Sequence, residues 1–88
     1  MSYQVTLSQE VRKNLDRVDR ATFTRILQRL HELKENPRDP RISKRLKGLE
    51  GMRSSRVGDW RILYTFDNES KTIFTVAVRP RGEAYRNL

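Results

Sequence analysis

Apolar and polar residues alternate along three short stretches of this chain, a period of two that is typical of β-strands with one buried face. The stretches cover residues 3–7, 60–66 and 72–78. The last two contain two sets of alternating apolar residues, which are Trp60, Ile62, Tyr64 and Phe66, then Phe74, Val76 and Val78. The first set is expected on the core side of a sheet, with Arg61 and Leu63 on the opposite side.

A hairpin is predicted where residues 53–57 meet residues 60–66. The pair Gly58-Asp59 separates these two β-rich runs, and glycine can supply the positive φ of a type II′ turn. A further turn is predicted at residues 67–70, before the last strand.

Two segments have the apolar spacing of amphipathic helices. The first follows Ser8, which can cap a helix, and its apolar residues are Val11, Leu15 and Val18. The second follows Asp19 and ends at Asn36-Pro37, because proline disfavours helical geometry in the residue before it. The apolar stripe of this second helix consists of Phe23, Ile26, Leu27, Leu30 and Leu33.

Residues 36–51 form a long connection between the helices and the hairpin, pinned to the core by Leu46 and Leu49. The predicted order is therefore β-α-α-β-β-β. This order indicates an α+β fold, in which a small, antiparallel-rich sheet packs against a two-helix hairpin and a short basic C-terminal tail follows. Eighty-eight residues are enough for one domain, spanning residues 1–88, and for one core.

The net charge of +8 predicts an acidic partner such as nucleic acid. Its distribution is informative. Residues 10–35 contain seven basic and five acidic residues, whereas residues 45–61 and 79–88 together contain eight basic and three acidic ones. The excess positive charge therefore lies mainly on the predicted strands and tail.

Several classes of protein are not favoured by this composition. The chain has no apolar run of the roughly 20 residues that span a bilayer, and its N-terminus lacks the regions of a signal peptide. It contains no cysteine and one histidine, so we expect no disulfide, no metal and no cofactor. These features fit a cytoplasmic protein.

Arginines recur in the predicted strands and in the tail. Because alternate side chains of a strand share a face, Arg56, Arg61 and the pair Arg79 and Arg81 can converge on one surface. Guanidinium groups present a fixed fork of donors that fits phosphate oxygens, and Tyr85 can stack on a base or move a proton. The alternatives are that Arg61 pairs with a carboxylate and that the tail is solvated.

Three motifs carry a resemblance to a known family: Leu46-Lys47-Gly48-Leu49-x-Gly51, Arg56-Val57-Gly58-Asp59-Trp60-Arg61-Ile62-Leu63-Tyr64 and Arg81-Gly82-Glu83-Ala84-Tyr85-Arg86. With the length, the basicity and the element order, they resemble the RelE group of the RelE/ParE toxin superfamily over essentially the whole chain. The hairpin motif is characteristic of the superfamily, and the Arg-x-x-x-Tyr ending favours RelE.

The resemblance implies a toxin of a type II toxin–antitoxin system that enters the A site of the 30S ribosomal subunit and cuts mRNA there. The RNA's own 2′-hydroxyl would attack the phosphate, leaving a 2′,3′-cyclic phosphate and a 5′-hydroxyl. By position, the implied catalytic residues are Arg56, Arg61, Arg81 and Tyr85. Contacts to RNA are predicted for Lys47, Arg53, Ser54, Arg79 and Arg86. The expected partners are a cognate antitoxin, the ribosome and mRNA.

The general base is not identified by the sequence. Ser54 stands where the family often has a basic residue, and Arg53 beside it is expected to point to the other face of the strand. An arginine with a pKa above ~12 is a poor base. Tyr85 is the candidate for proton transfer, whereas His31, in the middle of a helix, is interpreted as a surface residue.

Two other functions remain open at this stage. A ParE-like toxin would use the same scaffold to bind and inhibit DNA gyrase without cleaving RNA. An inactive RNA-binding module would show salt-sensitive affinity for RNA and form no cleavage product.

Overall fold

The computed structural model describes residues 2–83. The elements of this part of the chain are β1 (Gln4–Leu7), α1 (Gln9–Leu15), α2 (Arg20–Glu35), β2 (Lys44–Arg45), β3 (Arg53–Val57), β4 (Trp60–Asp67), β5 (Thr72–Pro80) and a 3-10 turn (Arg81–Glu83). The predicted α+β class is confirmed. The predicted element order also holds, with β2 as an additional short strand inside the long connection.

The strands form one mixed sheet in the order β1-β5-β4-β3-β2. β1 runs parallel to β5, and the other neighbouring pairs are antiparallel. β1 and β2 are short edge strands, so part of β5 and part of β3 extend beyond them. These uncovered strand segments are where the helices supply hydrogen bonds.

The alternation predicted for the last strand is wrong at Phe74. The pairing of β4 with β5 shifts register between Leu63 and Tyr64, which leaves Val76 as the extra residue of a bulge. The shift exchanges the two faces of β5, so Ile73 is fully buried while the Phe74 side chain is 43% exposed. The hydrophobic period does not reveal this bulge, because apolar residues such as Ile73, Phe74, Ala77 and Val78 stand at both odd and even positions of the strand.

Both helices pack on one face of the sheet and enclose a single core. α1 contributes Val11 and Leu15, and it lies against β5. α2 lies against β3 and β1, and it buries Ile26, Leu30 and Leu33. The rest of the predicted stripe on α2 is exposed, with Phe23 at 37% and Leu27 at 43%.

α1 is held along the uncovered part of β5 by two polar side chains. Ser8 is the N-cap predicted from the sequence: its hydroxyl accepts a hydrogen bond from the Val11 amide and donates one to the Val76 carbonyl at the bulge, at 2.8 Å. Asn14 donates from Nδ2 to the Val78 carbonyl at 2.8 Å. The helix ends at Leu15, before the predicted Val18, so four residues separate α1 from α2.

The turn between β3 and β4 has the predicted two-residue form, because Val57 pairs directly with Trp60. Gly58 has a φ of +59° and Asp59 does not have a positive φ, which agrees with type II′ and excludes type I′. A Cβ on Gly58 would also lie 3.0 Å from a guanidinium nitrogen of Arg25. The positive φ therefore favours glycine at this position, and a Cβ would in addition make the Arg25 side chain shift by a few tenths of an ångström.

A buried hydroxyl fixes the long connection to the sheet. Tyr64 on β4 is fully buried, and its hydroxyl donates to the Pro37 carbonyl at 2.6 Å. Since the phenolic hydrogen is used in that bond, Ser43 donates to the Tyr64 oxygen, and Ser43 in turn accepts from Nε of Arg53 at 2.7 Å. Burial raises the pKa of Tyr64, so this phenol stays protonated and keeps its donor role.

No helix in the described part of the chain is long and apolar enough to cross a membrane.

Candidate nucleic-acid interface

Three arginines form a row across the sheet on the face opposite the helices. The strand register places Arg56 opposite Arg61, and Arg61 opposite Arg79. Directly opposite residues of neighbouring strands point to the same side, about 5 Å apart. The predicted convergence of these three residues on one face is therefore present in the structure.

Two members of this row, Arg56 and Arg61, line an open groove of about 400 Å³ at the β3 edge of the sheet. The residues that line the groove are Arg29, Pro40, Arg41, Ile42, Ser43, Lys44, Ser54, Arg56, Gly58 and Arg61. Five of them are basic and none of these lining residues is acidic. A concave surface lined by positive charges attracts ligands of negative charge. The groove is therefore suited to binding the phosphate groups of a nucleic-acid backbone.

The groove exists because β2 has only two residues and covers only part of the edge of β3. Beyond Lys44 and Arg45, no strand among residues 2–83 pairs with the edge of β3, and Arg29 from α2 occupies that space. Its Nη1 donates to the Arg56 carbonyl at 2.6 Å and to the Ser55 hydroxyl at 2.9 Å, while its Nε contacts Glu32 at 3.1 Å. These bonds fix the backbone that carries the Arg56 side chain.

At the outer rim, Arg41 is held by its neighbour Asp39. The guanidinium donates from Nε and Nη2 to the two carboxylate oxygens at 3.1 and 2.8 Å. These hydrogen bonds, and the positive charge behind them, lower the pKa of Asp39 to about 2. The pair orients Arg41 and at the same time neutralises part of the charge at this rim.

Arg79, the third member of the row, turns away from the groove toward α1. Its Nε and Nη2 donate to the two carboxylate oxygens of Glu10 at 2.7 and 2.8 Å. A second open groove, of about 510 Å³, surrounds this pair at the opposite edge of the sheet and includes Trp60 and Glu83. Part of the positive charge of Arg79 is therefore already balanced by Glu10.

The pair of Glu10 and Arg79 makes the stability of the protein depend on pH. The hydrogen bonds from Arg79 lower the pKa of Glu10, so its stabilising contribution is complete above the ordinary carboxyl range and is lost as the pH falls through the lowered value. We expect Glu10→Gln to be less stable than the wild type near neutral pH by less than about 1 kcal/mol, because the pair is screened by solvent. We also expect the variant to lose less stability than the wild type between about pH 5 and pH 3.

Urea unfolding at a series of pH values measures both differences. Glu69→Gln, a change of the same kind in an exposed turn, serves as the control and should follow the wild-type profile. Parallel acid profiles for the wild type and Glu10→Gln would contradict the assignment.

The other predicted site residues are placed as follows. Arg81 is exposed, and its amide donates to the Asp59 carbonyl at 2.8 Å, so it lies beside the β3–β4 turn at the same end of the sheet as Arg56 and Arg61. Tyr85 and Arg86 lie outside the described residues.

Three further residues that were predicted to contact RNA lie on β3 or near it. Ser54 is buried on the face that carries Arg56 and lines the groove. Arg53 points to the helix side, as expected from the alternation, and is bonded there to Ser43. Lys47 is exposed in the turn that precedes β3, at the end of that strand away from Arg56.

Sequence reasoning missed Lys44 and Arg29. A two-residue strand has no detectable period, so the connection at residues 36–51 did not reveal that Lys44 pairs with Ser54 and shares its face. Arg29 has the sequence context of any solvated helix residue, and only the tertiary packing shows its bonds to β3. His31 is exposed on α2, as predicted.

Within residues 2–83 there is no group of three or more histidine, aspartate or glutamate side chains placed to hold a metal ion.

Comparison with known proteins gives a consistent result. A family model described as the ParE toxin of type II toxin-antitoxin system, parDE, matches residues 5–85. A search of curated protein sequences gave no match.

Solved structures of toxins have the same fold. The RelE–RelB complex from Pyrococcus horikoshii OT3 contains a chain that is 27% identical with a TM-score of 0.80, and the match covers 96% of this chain and 100% of that one. The toxin–antitoxin complex RelBE2 from Mycobacterium tuberculosis gives 26% identity and a TM-score of 0.80, with 92% and 100% covered. The YoeB/ParE toxin from Agrobacterium tumefaciens, at 17% identity, 88% and 96% coverage and a TM-score of 0.77, shows the fold alone.

Proposed function

Because the chain belongs to the ParE toxin family of type II toxin–antitoxin systems, we propose that it is a ribosome-dependent endonuclease that cleaves mRNA at A-site codons and so inhibits translation. The resemblance to the RelE/ParE superfamily seen in the sequence is confirmed at the level of family and fold. The observation that carries the proposal is the groove that Arg56 and Arg61 line without any acidic lining residue.

The chemistry that suits this groove is transfer of a phosphoryl group within the RNA. Attack of the 2′-hydroxyl builds negative charge on the oxygens of the phosphate, and donors that are already in place stabilise that charge without reorganising. Arg61, half-buried on a central strand, is such a donor, and Arg56 opposite it is a second. Because the nucleophile belongs to the substrate, the reaction does not need a metal-bound hydroxide to attack the phosphate.

The dependence on the ribosome follows from the same side chains. Guanidinium groups stabilise charge but do not exchange protons near neutral pH, so the groove is poor in acid–base groups. Alignment of the 2′-hydroxyl with the scissile bond therefore has to come from outside the toxin. A ribosome that holds the mRNA in a fixed path would supply it as effective molarity.

A cell-free translation reaction with the purified protein tests the proposal. Primer extension would map the 5′ ends of the mRNA, with Arg61→Ala as the inactive control. We expect new ends at A-site codons, formed only when ribosomes are present and absent with the variant. Intact mRNA together with unimpaired translation would reject the proposal.

Inhibition of DNA gyrase by binding is the second candidate. The family model itself describes ParE toxins, and the pairing of Arg79 with Glu10 removes one of the expected arginines from the groove. A gyrase supercoiling assay separates the two activities. Inhibition of supercoiling with intact mRNA would favour this candidate, whereas RNA binding without either effect would indicate an inactive module.

We propose that the partner is an acidic, amphipathic antitoxin segment. Two structures similar to this chain are complexes of a toxin with its antitoxin, and Phe23 and Leu27 leave apolar surface exposed on α2. A partner that binds only the folded toxin raises its thermal midpoint by mass action. Equal midpoints of the toxin with and without its antitoxin would contradict this pairing. For a toxin that acts on ribosomes, the cytoplasm is the expected location.

A further inference from the structure

Another groove with positive charge lies on the helix side of the sheet, and we call it the helix-side groove. Its volume is about 440 Å³, and its lining residues are Arg38, Arg45, Gly51, Met52, Arg53, Phe66 and Asn68. Three of them are arginines, and none of these lining residues, which all belong to the described part of the chain, is acidic. A groove lined by several cations in this way is suited to an anionic ligand.

The sheet separates the helix-side groove from the groove that Arg56 and Arg61 line. Phe66 follows Arg61 by five residues on β4, which is ~17 Å along the strand. An odd spacing places the two side chains on opposite faces, and Phe66 accordingly packs against the core. Arg45 pairs with Arg53 on this same helix side. The helix-side groove is therefore a separate site, beyond the reach of a phosphate bound between Arg56 and Arg61.

An arginine stacked on an aromatic ring forms one wall of the helix-side groove. The guanidinium carbon of Arg38 lies 5.2 Å from the centre of the Phe66 ring, which is a cation–π contact. Tyr3 packs edge-on against that ring at 6.0 Å between ring centres, and its hydroxyl donates to Asn68 at 2.6 Å. The ammonium group of Lys71 lies 5.0 Å from the centre of the Tyr3 ring. Aromatic rings and guanidinium planes are the surfaces on which proteins stack unpaired nucleobases.

The backbone that carries Arg38 is fixed although its side chain is exposed. The preceding residue, Pro37, is buried, and its carbonyl accepts the hydrogen bond from Tyr64 at 2.6 Å. The amide of Arg38 donates to the side-chain oxygen of Asn36 at 3.1 Å. Because Arg38 is exposed and lines the groove, the face of its guanidinium that is turned away from Phe66 can receive a base.

Two further arginines supply donors for phosphate beside this wall. Arg53 donates from Nε to the Ser43 hydroxyl at 2.7 Å, which orients its guanidinium, and the Nη groups of the same side chain are further donors. Arg45 is exposed directly opposite it on β2. Two neighbouring guanidinium groups can bind one phosphate together or two phosphates of one chain, because each presents a fork of donors that fits phosphate oxygens.

We infer that the helix-side groove is a nucleotide-binding site, distinct from the groove proposed for cleavage. The base stacks on the Arg38 guanidinium above Phe66, and the phosphate oxygens accept hydrogen bonds from Arg45 and Arg53. The ligand chemistry is a base joined to phosphate, which occurs both in a free nucleoside triphosphate and in a nucleotide of an RNA strand other than the substrate. The inference goes beyond the proposed endonuclease and does not depend on it.

Calorimetric titration of the whole protein at one fixed salt concentration tests the site. The probes are ATP, inorganic tripolyphosphate and a tetranucleotide of 2′-O-methyl adenosine, which has no 2′-hydroxyl that could attack. We expect ATP to bind ~10-fold more tightly than tripolyphosphate, because only ATP has a base to stack. Arg38→Lys keeps the charge but loses the planar face, so we expect it to weaken ATP binding by about 10-fold and tripolyphosphate binding by less than about 2-fold.

Matched variants separate a contact in the groove from net charge. Arg45→Ala and Arg12→Ala each remove one exposed arginine, and of these two residues it is Arg45 that lines the groove. We expect Arg45→Ala to weaken the binding of ATP and tripolyphosphate by a similar factor of about 10. Arg12→Ala, and Arg56→Ala in the other groove, should bind ATP as the wild type does. Thermal unfolding of each variant would verify that it is folded.

The outcomes identify the source of the nucleotide or reject the site. Binding that depends on Arg38 and is tighter for ATP than for the tetranucleotide would assign the groove to free nucleotides. The reverse order would assign it to RNA, and either result supports the inference. Equal affinity for ATP and tripolyphosphate would indicate a surface that attracts any anion, and would overturn it. So would wild-type affinity of Arg38→Lys for both nucleotide probes, or ATP binding that is lost in Arg56→Ala and kept in Arg45→Ala.

Discussion

Replacing Arg61 with alanine is expected to slow mRNA cleavage by about 10²–10³-fold, equivalent to roughly 3–4 kcal/mol of lost transition-state stabilisation. We expect a loss of this size because of where Arg61 lies in the sheet. Arg61 lies on β4 between β3 and β5, its side chain is half-buried, and it lines the groove opposite Arg56. A donor that the sheet holds in place stabilises developing charge without first being ordered, so its loss is not replaced by water.

Single-turnover cleavage on programmed ribosomes would measure this loss for Arg61→Ala. Arg12→Ala, which removes an equal charge from the exposed face of α1, is the matched control and should retain the wild-type rate. Arg61→Lys keeps the charge but loses the planar fork of donors, so we expect its rate to fall between those of the wild type and Arg61→Ala. Cleavage by folded Arg61→Ala at the wild-type rate would show that the groove is not the active site.

Replacing Tyr64 with phenylalanine is expected to destabilise the protein by about 1–3 kcal/mol, although only one oxygen is removed. The hydroxyl of Tyr64 donates to the Pro37 carbonyl and is bonded to Ser43. Both partners lie in buried residues, so neither can exchange the lost bond for one to bulk water. The cost is therefore that of unsatisfied buried groups rather than the smaller net value of an average hydrogen bond.

Chemical denaturation of Tyr64→Phe measures this cost, and Tyr3→Phe provides the comparison. Tyr3 also donates a short hydrogen bond, to Asn68 at 2.6 Å, but that bond is exposed to solvent. The same chemical change at Tyr3 should alter stability by less than about 0.5 kcal/mol. Equal effects of the two substitutions would mean that the bonds of Tyr64 do not hold the connection in place.

Much of the fold follows from local sequence. α2 begins after Asp19 because its side chain accepts a hydrogen bond from the Thr22 amide, as its residue type predicts, and the helix ends at Glu35, before Asn36-Pro37. The β3–β4 hairpin follows from Gly58-Asp59 in the same way. These features were predictable because each depends on a few residues that are adjacent in the chain.

What the sequence did not reveal depends on distant residues. The bulge at Val76 exists where β4 and β5 shift register, and Ser8 from the other end of the chain donates to its carbonyl. The sequence predicted only some of the residues that line the groove. Arg56 and Arg61 could be placed on one face by alternation, but the contribution of Lys44 required the pairing of a two-residue strand.

The pairing of charged side chains could not be predicted from the sequence either. Arg79 and Arg81 could not be distinguished as phosphate contacts from sequence, since Pro80 between them can shift the register of the strand. The structure gives them different surroundings, because Glu10 lies 69 residues away in the chain yet bonds to Arg79 in the folded protein. Arg81 is exposed beside the turn, where a substrate can reach it.

The position of the last strand has a consequence for how the chain folds during its own synthesis. β5 lies between β1 and β4, so residues 4–7 have no strand to pair with until residues 72–75 have been made. The β3–β4 hairpin closes over short loops, whereas the parallel pair joins opposite ends of the chain, and distant contacts form slowly. A nascent chain therefore keeps its N-terminal strand without a neighbouring strand until β5 has been made. The sheet that carries the arginine row therefore cannot close before its last strand leaves the ribosome.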